Sequence, residues 1–456
     1  MTQKAIRDVA VIGAGLSGLH AASLLAARGL KVALIEARGR VGGRAELHRF
    51  ANGDAVDIGG QWVGPGQERM YRLIADLGLR TWPLYHEGDR ILMLGRRRRR
   101  YRGLIPPASP LALLELEVAL RRFERMAATV DPARPWAHPR AAAWDRMTLD
   151  AWMRRNLRTT AARRLFAIGI GAVFAAAPEE LSLLHALFYA RAAGGFRGLL
   201  EVEGGAQQDR VRGGVGGLAE AYAARCREQG VEIALARPVV AVAREGAGVR
   251  VVTTRETWRA RRAVLALPPN QLRRIRFDPP APARRDRLWQ RMPAGRAIKC
   301  VAQYRTPFWR AERLSGEAVG GPGPVHVTFD NTEEGGAAGL LMGFIAGPEA
   351  DRWAAAAPEA RRAAVLESFA AFFGPEARNA IDYADRDWGA EEWTRGCYAA
   401  LMTPGAWTAL GAELRAPLGP LHFAGTETAT AWYGYFEGAL EAAERAAGEV
   451  AAALDG

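Results

Sequence analysis

Val9 to Ile12 are four apolar residues with no polar alternation, the pattern of a strand covered on both faces. Gly13-Ala14-Gly15-Leu16-Ser17-Gly18 follows, and apolar positions then recur at helical spacing to about Arg28, where Gly29 caps the helix. Lys31 to Ile35 reads as a second strand ending at Glu36, so the chain opens as a β-α-β unit. Helical spacing returns from Gly66 to Leu79. Arg96 to Arg100 lie between short apolar stretches and read as a solvated hairpin. From Leu111 to Leu187 apolar residues three and four apart predict a mainly helical insertion. A helix over Leu218–Gln229 precedes four strands, Val231–Ala236, Pro238–Arg244, Val249–Thr254 and Ala263–Leu267, which read as a β-meander ended by Pro268-Pro269. Mixed elements from about Arg291 to Trp393 predict a second visit to the insertion, and a strand (Leu421–Ala424) and helix (Glu437–Leu454) close the chain.

That opening gives the glycines a chemical meaning. Gly13 allows the tight turn, Gly15 lets backbone approach a pyrophosphate, and Gly18 lets helix and strand pack closely. The helix N-terminus offers free N–H groups to phosphate. Glu36, 18 residues after Gly18, is suited to accept from ribose hydroxyls. Paired glycines recur in Arg38–Arg44 and in Asp57–Pro65, which implies backbone held against a flat ligand.

Composition narrows the classes. At 456 residues the chain fits about two domains, and no run of ~18 apolar residues marks a membrane span. The first residues carry no secretory pattern, which points to the cytoplasm. Three cysteines without CxxC spacing exclude a disulfide framework, and seven scattered histidines give no metal motif, so no metal is expected. The net charge of +13 is read as arginine spread over a solvated surface, and no nucleic-acid partner is expected. Only Lys4, Lys31 and Lys299 are lysines among 62 basic residues. Lys299 stands in the apolar segment Ala297–Val301, where a compact ammonium can shift its pKa as arginine cannot.

Taken in order, the glycine cradle, Arg38–Arg44, Asp57–Pro65, Glu203–Gln208, Ile298-Lys299-Cys300, Gly396-Cys397-Tyr398 and the run Ala424–Tyr435 resemble the flavin-containing monoamine oxidase family over essentially the whole chain. The resemblance implies an α/β fold: a Rossmann-like FAD-binding domain of the GR2 type with an inserted α+β substrate-binding domain, the amine oxidase fold. The first would comprise residues 1–80, 205–290 and 395–456, and the second residues 81–204 and 291–394.

The resemblance also implies roles. FAD would lie extended, with Glu36 at the adenosine ribose, Gly43 and Arg44 at the diphosphate, and Gly60, Gln61 and Trp62 along the isoalloxazine. Val239 would hold the adenine through its backbone, Glu427 would reach the ribityl–phosphate region, and Trp388 would stand beside the flavin. Leu16, Ser17, Ala37, Arg38, Gly425, Gly434 and Phe436 complete the expected cofactor contacts. The helix from about Glu437 would aim its positive end at the flavin. Lys299, Tyr398 and Tyr435 would be catalytic, the lysine acting at flavin N5 through a water and the tyrosines flanking the substrate nitrogen. Gln207 would line the substrate cavity. Cys397 matches a cysteine that bonds to FAD in some members and is a plain buried thiol in others.

The activity implied is oxidation of a primary amine to an imine and then an aldehyde, with dioxygen reduced to hydrogen peroxide. An L-amino-acid oxidase or polyamine oxidase is the alternative within enzymes, and a basic nucleic-acid-associated flavoprotein the alternative outside them. Ending at Gly456 without a membrane helix suggests a soluble protein, and the sequence leaves a homodimer open.

Overall fold

A computed structural model describes residues 2–95, 97–103 and 106–455. Among these, the larger sheet takes strands from three distant parts of the chain. Val9–Ile12 pairs in parallel with Val32–Ile35 on one side and with Arg262–Leu265 on the other. Successive residues of the first strand enter different cores. Val9 and Val11 pack with the helices Leu16–Ala26, Gly214–Glu228 and Phe436–Asp455, and Ala10 and Ile12 pack with Trp258, Phe277 and Trp289 on the other face. This double coverage explains the unbroken apolar run.

Glu256–Leu265 organises the sheet. Its first half closes an antiparallel meander with Gly248–Thr253 and Val239–Glu245. Its second half lies between the first strand and the last, with Leu265 facing Ile12 on one edge and Phe423 on the other. The two ends of the chain therefore leave the sheet side by side. Two expectations are corrected here. Glu232–Ala234 does not belong to the meander but runs parallel to Val32–Ile35 at the sheet edge. The expected strand Ala263–Leu267 is the end of one that begins at Glu256, because Thr253 Oγ1 accepts from the Glu256 N–H and turns the chain tightly.

The helix expected from Leu218 starts four residues earlier, at Gly214. The Asp57 carboxylate accepts from the N–H groups of Val215 and Gly216, each at 3.0 Å, and so caps it from another element. Gly214 has φ +77°, and a Cβ there would meet Leu47 and Asp57.

A second sheet joins Asp382–Asp387, Ala297–Tyr304, Gly339–Ala346, Val327–Asp330, Leu314–Gly320, Asp89–Leu94 and Arg97–Tyr101, in that order. Every residue of Ala297–Tyr304 is buried. The expected arginine hairpin is the last pair of this sheet. Arg97 to Arg100 are exposed, Arg100 and Arg102 bind Asp89, and Arg96 lies outside the described residues. Helices Pro110–Ala128, Leu149–Asn156, Thr160–Phe174 and Leu183–Ala192 form a separate apolar core around Phe123, Phe166 and Phe188. Among the described residues no helix is long and apolar enough to cross a membrane.

Helix–strand contact at the opening turn leaves no room for a side chain. A Cβ on Gly18 would fall 1.8 Å from the Gly13 carbonyl oxygen, whereas one on Gly39 would meet nothing within 4 Å. Gly18→Ala is therefore expected to cost about 1–3 kcal/mol through backbone displacement, and Gly39→Ala less than about 0.5 kcal/mol. Paired thermal melts of the two variants check this; equal melting temperatures would contradict the packing account.

Candidate active site

The opening turn forms one end of a long cavity. Gly13, at φ +99°, donates its N–H to Ile35, and the helix Leu16–Ala26 begins directly behind it. Its first-turn N–H groups have no partner within the helix. The Glu36 carboxylate, 3% exposed, accepts from the N–H groups of Ala14 (2.7 Å) and Arg38 (2.9 Å). Ser17 Oγ accepts the Gly425 N–H at 2.9 Å, a direct bond between the two glycine motifs. Arg38 also binds Glu391 and Thr394, which draws the segment Trp393-Thr394 over this end of the cavity.

Midway, Arg44 makes two bonds to Glu427 (2.6 and 3.1 Å) and donates to the Tyr398 carbonyl (2.8 Å). Burial would lower the Arg44 guanidinium, but the charge and hydrogen bonds of Glu427 outweigh it and hold it above its ordinary value. Glu427 also accepts from the Ala400 N–H, so one ion pair fixes the backbone that carries Tyr398. Gly60 is needed for closure: a Cβ there would lie 2.6 Å from the Phe436 ring, at the first turn of the closing helix.

Lys299, Tyr398 and Tyr435 line the same cavity. Lys299 is 1% exposed, and its Nζ donates to Gly59 O (2.9 Å) and Gln61 Oε1 (2.5 Å). Burial pulls its pKa down to about 7; Asp57 opposes this and Arg210 adds to it. Burial raises both tyrosines, which therefore stay protonated, and the Tyr398 hydroxyl has no partner among the described residues. Trp388 Nε1 donates to Ile58 O at 3.2 Å, which holds its indole in the wall. The Cys397 thiol, also in the wall, is pushed up to about 12 by burial.

Beyond the tyrosines the lining is Ala172, Val173, Tyr189, Leu199, Trp62 and Phe344. Gln207 also lines the cavity. Its Nε2 donates to Leu199 O, and its Oε1, like Trp62 Nε1, is buried without a partner among the described residues. The whole cavity holds about 1420 Å³ of space free of protein, its open mouth included.

Of the expected cofactor residues, Gly13, Gly15, Leu16, Ser17, Glu36, Arg38, Gly43, Arg44, Gly60, Gln61, Trp62, Trp388, Cys397, Gly425, Gly434 and Phe436 line this cavity. Gly18, Ala37, Val239 and Glu427 are not among its lining residues. Gly18 packs on Gly13, Glu427 acts behind Arg44, and Val239 pairs with Thr253 in the meander. Sequence reading missed Ala172, Val173, Tyr189, Leu199 and Phe344, whose apolar spacing matches that of core positions. The cradle suits a dinucleotide: helix-start N–H groups beside Gly15 and a buried acid, Glu36, at the end of the second strand, all lining one cavity with Gly60 and Phe436.

Comparison with known proteins agrees with this architecture. The family described as flavin containing amine oxidoreductase matches residues 16–451. A Mycobacterium tuberculosis protein, named provisionally as the flavin-containing monoamine oxidase AofH, is 41% identical over 447 residues, covering 98% of this chain and 97% of its own. A solved structure of putrescine oxidase with putrescine bound superposes with a TM-score of 0.94 at 35% identity, covering 98% of this chain and 99% of that one. Cyclohexylamine oxidase from Brevibacterium oxydans gives 0.93 at 32% identity, with 99% and 100% covered.

The buried amine has a consequence for stability. Between about pH 7 and 10.5 the unfolded chain carries a proton on Lys299 that the folded chain has released, so folding gains stability as pH rises through that window. Below it both states carry the proton and the folded state bears the full cost of burying it. Relative to Lys299→Met, the wild-type urea midpoint is therefore expected to rise between pH ~7 and ~9.5. A difference that stays flat over that range would show that the amine is not titrating in the interior.

Proposed function

Because the chain belongs to the flavin containing amine oxidoreductase family, we propose that it oxidises a primary monoamine with an aromatic or alkyl body. The observation that carries this reading is the make-up of the cavity beyond Lys299, Tyr398 and Tyr435. Among the described residues that line the cavity the one carboxylate is Glu36, at the cradle, and the arginines are Arg38 and Arg44. Both arginines are bound to carboxylates. A diamine would bring a second ammonium to an apolar end with no counter-charge, at a cost of several kcal/mol. A free amino acid would bring a carboxylate with no arginine to meet it. An apolar body suits Val173, Leu199 and Phe344.

The cradle residues, Arg44 with Glu427, and the channel at Gly60, Trp388 and Phe436 would hold FAD, which when bound takes the equivalent of a hydride from the substrate carbon. The protein's part is positional and protonic. The tyrosine rings steer a neutral amine between them, and their hydroxyls stay protonated. Lys299 holds or releases a proton near neutrality beside the reacting atoms. The imine leaves to hydrolyse to aldehyde and ammonia, and dioxygen is the acceptor, yielding peroxide. The division into a cofactor half (residues 1–80, 205–290 and 395–456) and a substrate half (residues 81–204 and 291–394) belongs to the same proposal.

Peroxide release from a panel of benzylamine, phenethylamine, n-hexylamine, putrescine and L-leucine tests the reading. The monoamines are expected to exceed putrescine and L-leucine by about a hundredfold or more in kcat/KM, the equivalent of about 3 kcal/mol for one uncompensated buried charge. Turnover confined to putrescine or to L-leucine would overturn it. Acid precipitation of the coloured protein reports on Cys397: a cofactor bonded to the thiol stays with the pellet, and one held by contacts alone leaves in the supernatant.

A further inference from the structure

Behind Lys299 lies a run of buried polar side chains that the chemistry above does not use. Gln61, 1% exposed, accepts from Lys299 Nζ through Oε1 and donates through Nε2 to Asn331 Oδ1 at 2.8 Å. Asn331 is fully buried, and its backbone carbonyl accepts from Arg210 NH1 at 2.6 Å. Among the described residues, two donors in this corner, Asn331 Nδ2 and Arg210 Nε, have no acceptor. Turning the Asn331 amide over would aim Nδ2 at Gln61, where Oδ1 now sits.

We propose that Gln61 and Asn331 are positioning residues for Lys299, two coupled side-chain amides whose hydrogen-bond direction reverses when the lysine loses its proton. The argument is one of donor and acceptor count. A charged ammonium has three donors and no acceptor, so it must face Gln61 Oε1. Gln61 Nε2 then faces Asn331, Asn331 must offer Oδ1, and Nδ2 is left orphaned. A neutral amine has a lone pair and can accept. Turning both amides by half a rotation, which changes neither shape nor volume, lets Gln61 Nε2 donate to Nζ and Asn331 Nδ2 donate to Gln61 Oε1. The orphaned donor is then satisfied. The proton leaves through the Nζ position taken by neither Gly59 nor Gln61 and passes to water or an amine in the cavity that Lys299 lines; rotation about Cε–Nζ then turns the lone pair to Gln61 Nε2 and keeps one N–H on Gly59 O and one toward the cavity.

The other ionisable groups around Lys299 act on it in both directions of the relay. Asp57 approaches from the strand Ala55–Asp57, Arg210 from Asp209–Val211, and Cys397 from the loop after Trp388. Arg386 is the register partner of Lys299 on Asp382–Asp387. None of them is altered by changing Asn331, so the relay can be tested against a constant electrostatic background.

Only three lysines occur in the chain, so lysine labelled with carbon-13 at the ε position yields three resonances, and the one lost in Lys299→Met is Lys299. The inference rests on Lys299 serving the site proposed above, but this readout needs no turnover. In the flavin-bearing protein, Asn331→Leu removes the donor that favours the reversed, neutral-amine arrangement without adding charge, and the Lys299 midpoint is expected to rise by about one pH unit. If burial alone sets the midpoint, a leucine beside the amine leaves it unchanged or lowers it, and either result overturns the relay. Should Asn331→Leu fail to fold, the wild-type side-chain amide resonances of Gln61 and Asn331 decide the matter. They are expected to move with the Lys299 midpoint, and amides that stay fixed through the titration overturn the proposal. A failed relay with monoamine turnover intact leaves the functional reading standing; absence of peroxide from every amine, with the midpoint shift observed, does the reverse.

Discussion

The structure depends on one pairing constraint: the C-terminal half of Glu256–Leu265 accepts a parallel neighbour on each edge, and those neighbours are Val9–Ile12, near the start of the chain, and Leu421–Phe423, near its end. Because parallel strands leave a sheet at the same end, the turn after Ile12 and the turn after Phe423 must emerge together. Ser17 and Gly425, 408 positions apart, can then share a hydrogen bond. Every later feature of the cradle follows from that adjacency, including the approach of the closing helix to Gly60 and the reach of Arg44 to Glu427. Ligand sites at the carboxyl ends of parallel strands are the general outcome of such sheets.

The second sheet contributes the opposite wall and the unusual electrostatics. Ala297–Tyr304 runs through its interior, so the one lysine on it is carried into a place where water cannot stabilise a charge. Two acceptors, Gly59 O and Gln61 Oε1, take part of the hydration shell's place. They come from the paired-glycine segment that follows the strand Ala55–Asp57. The titrating group and the groups that tune it therefore meet only where that segment packs against the second sheet. The same junction carries the tyrosines: Arg44 and Glu427 hold the backbone of Tyr398 and Ala400 by charge-assisted bonds in a buried setting.

Much of this was legible along the chain. Gly13, Gly15 and Glu36 stand out because a turn, a close backbone approach and a terminal acid each demand one residue type, and the rarity of lysine marks Lys299. Less legible were positions whose residue type serves two purposes equally well. Ala172, Val173 and Leu199 have the apolar spacing of core residues, and nothing local says that an open cavity replaces a packed neighbour. Alternation in Glu232–Ala234 signals a strand but not its partner, which lies some 200 residues earlier and runs parallel. Asn331 sits just past a strand end, where a polar residue is ordinary, until Gln61 and Arg210 are found against it.

What the sequence determined by itself is the set of places where backbone geometry or charge permits few substitutes: the dinucleotide turn, the acid behind it, the C-terminal motif and the buried lysine. Those are short-range demands, satisfied within a few residues. Which side chains share a wall, which donors go unpaired and how far an ammonium is starved of water were decided only by the tertiary structure. Desolvation and hydrogen-bond satisfaction are properties of a closed environment, and that environment is assembled from segments hundreds of residues apart.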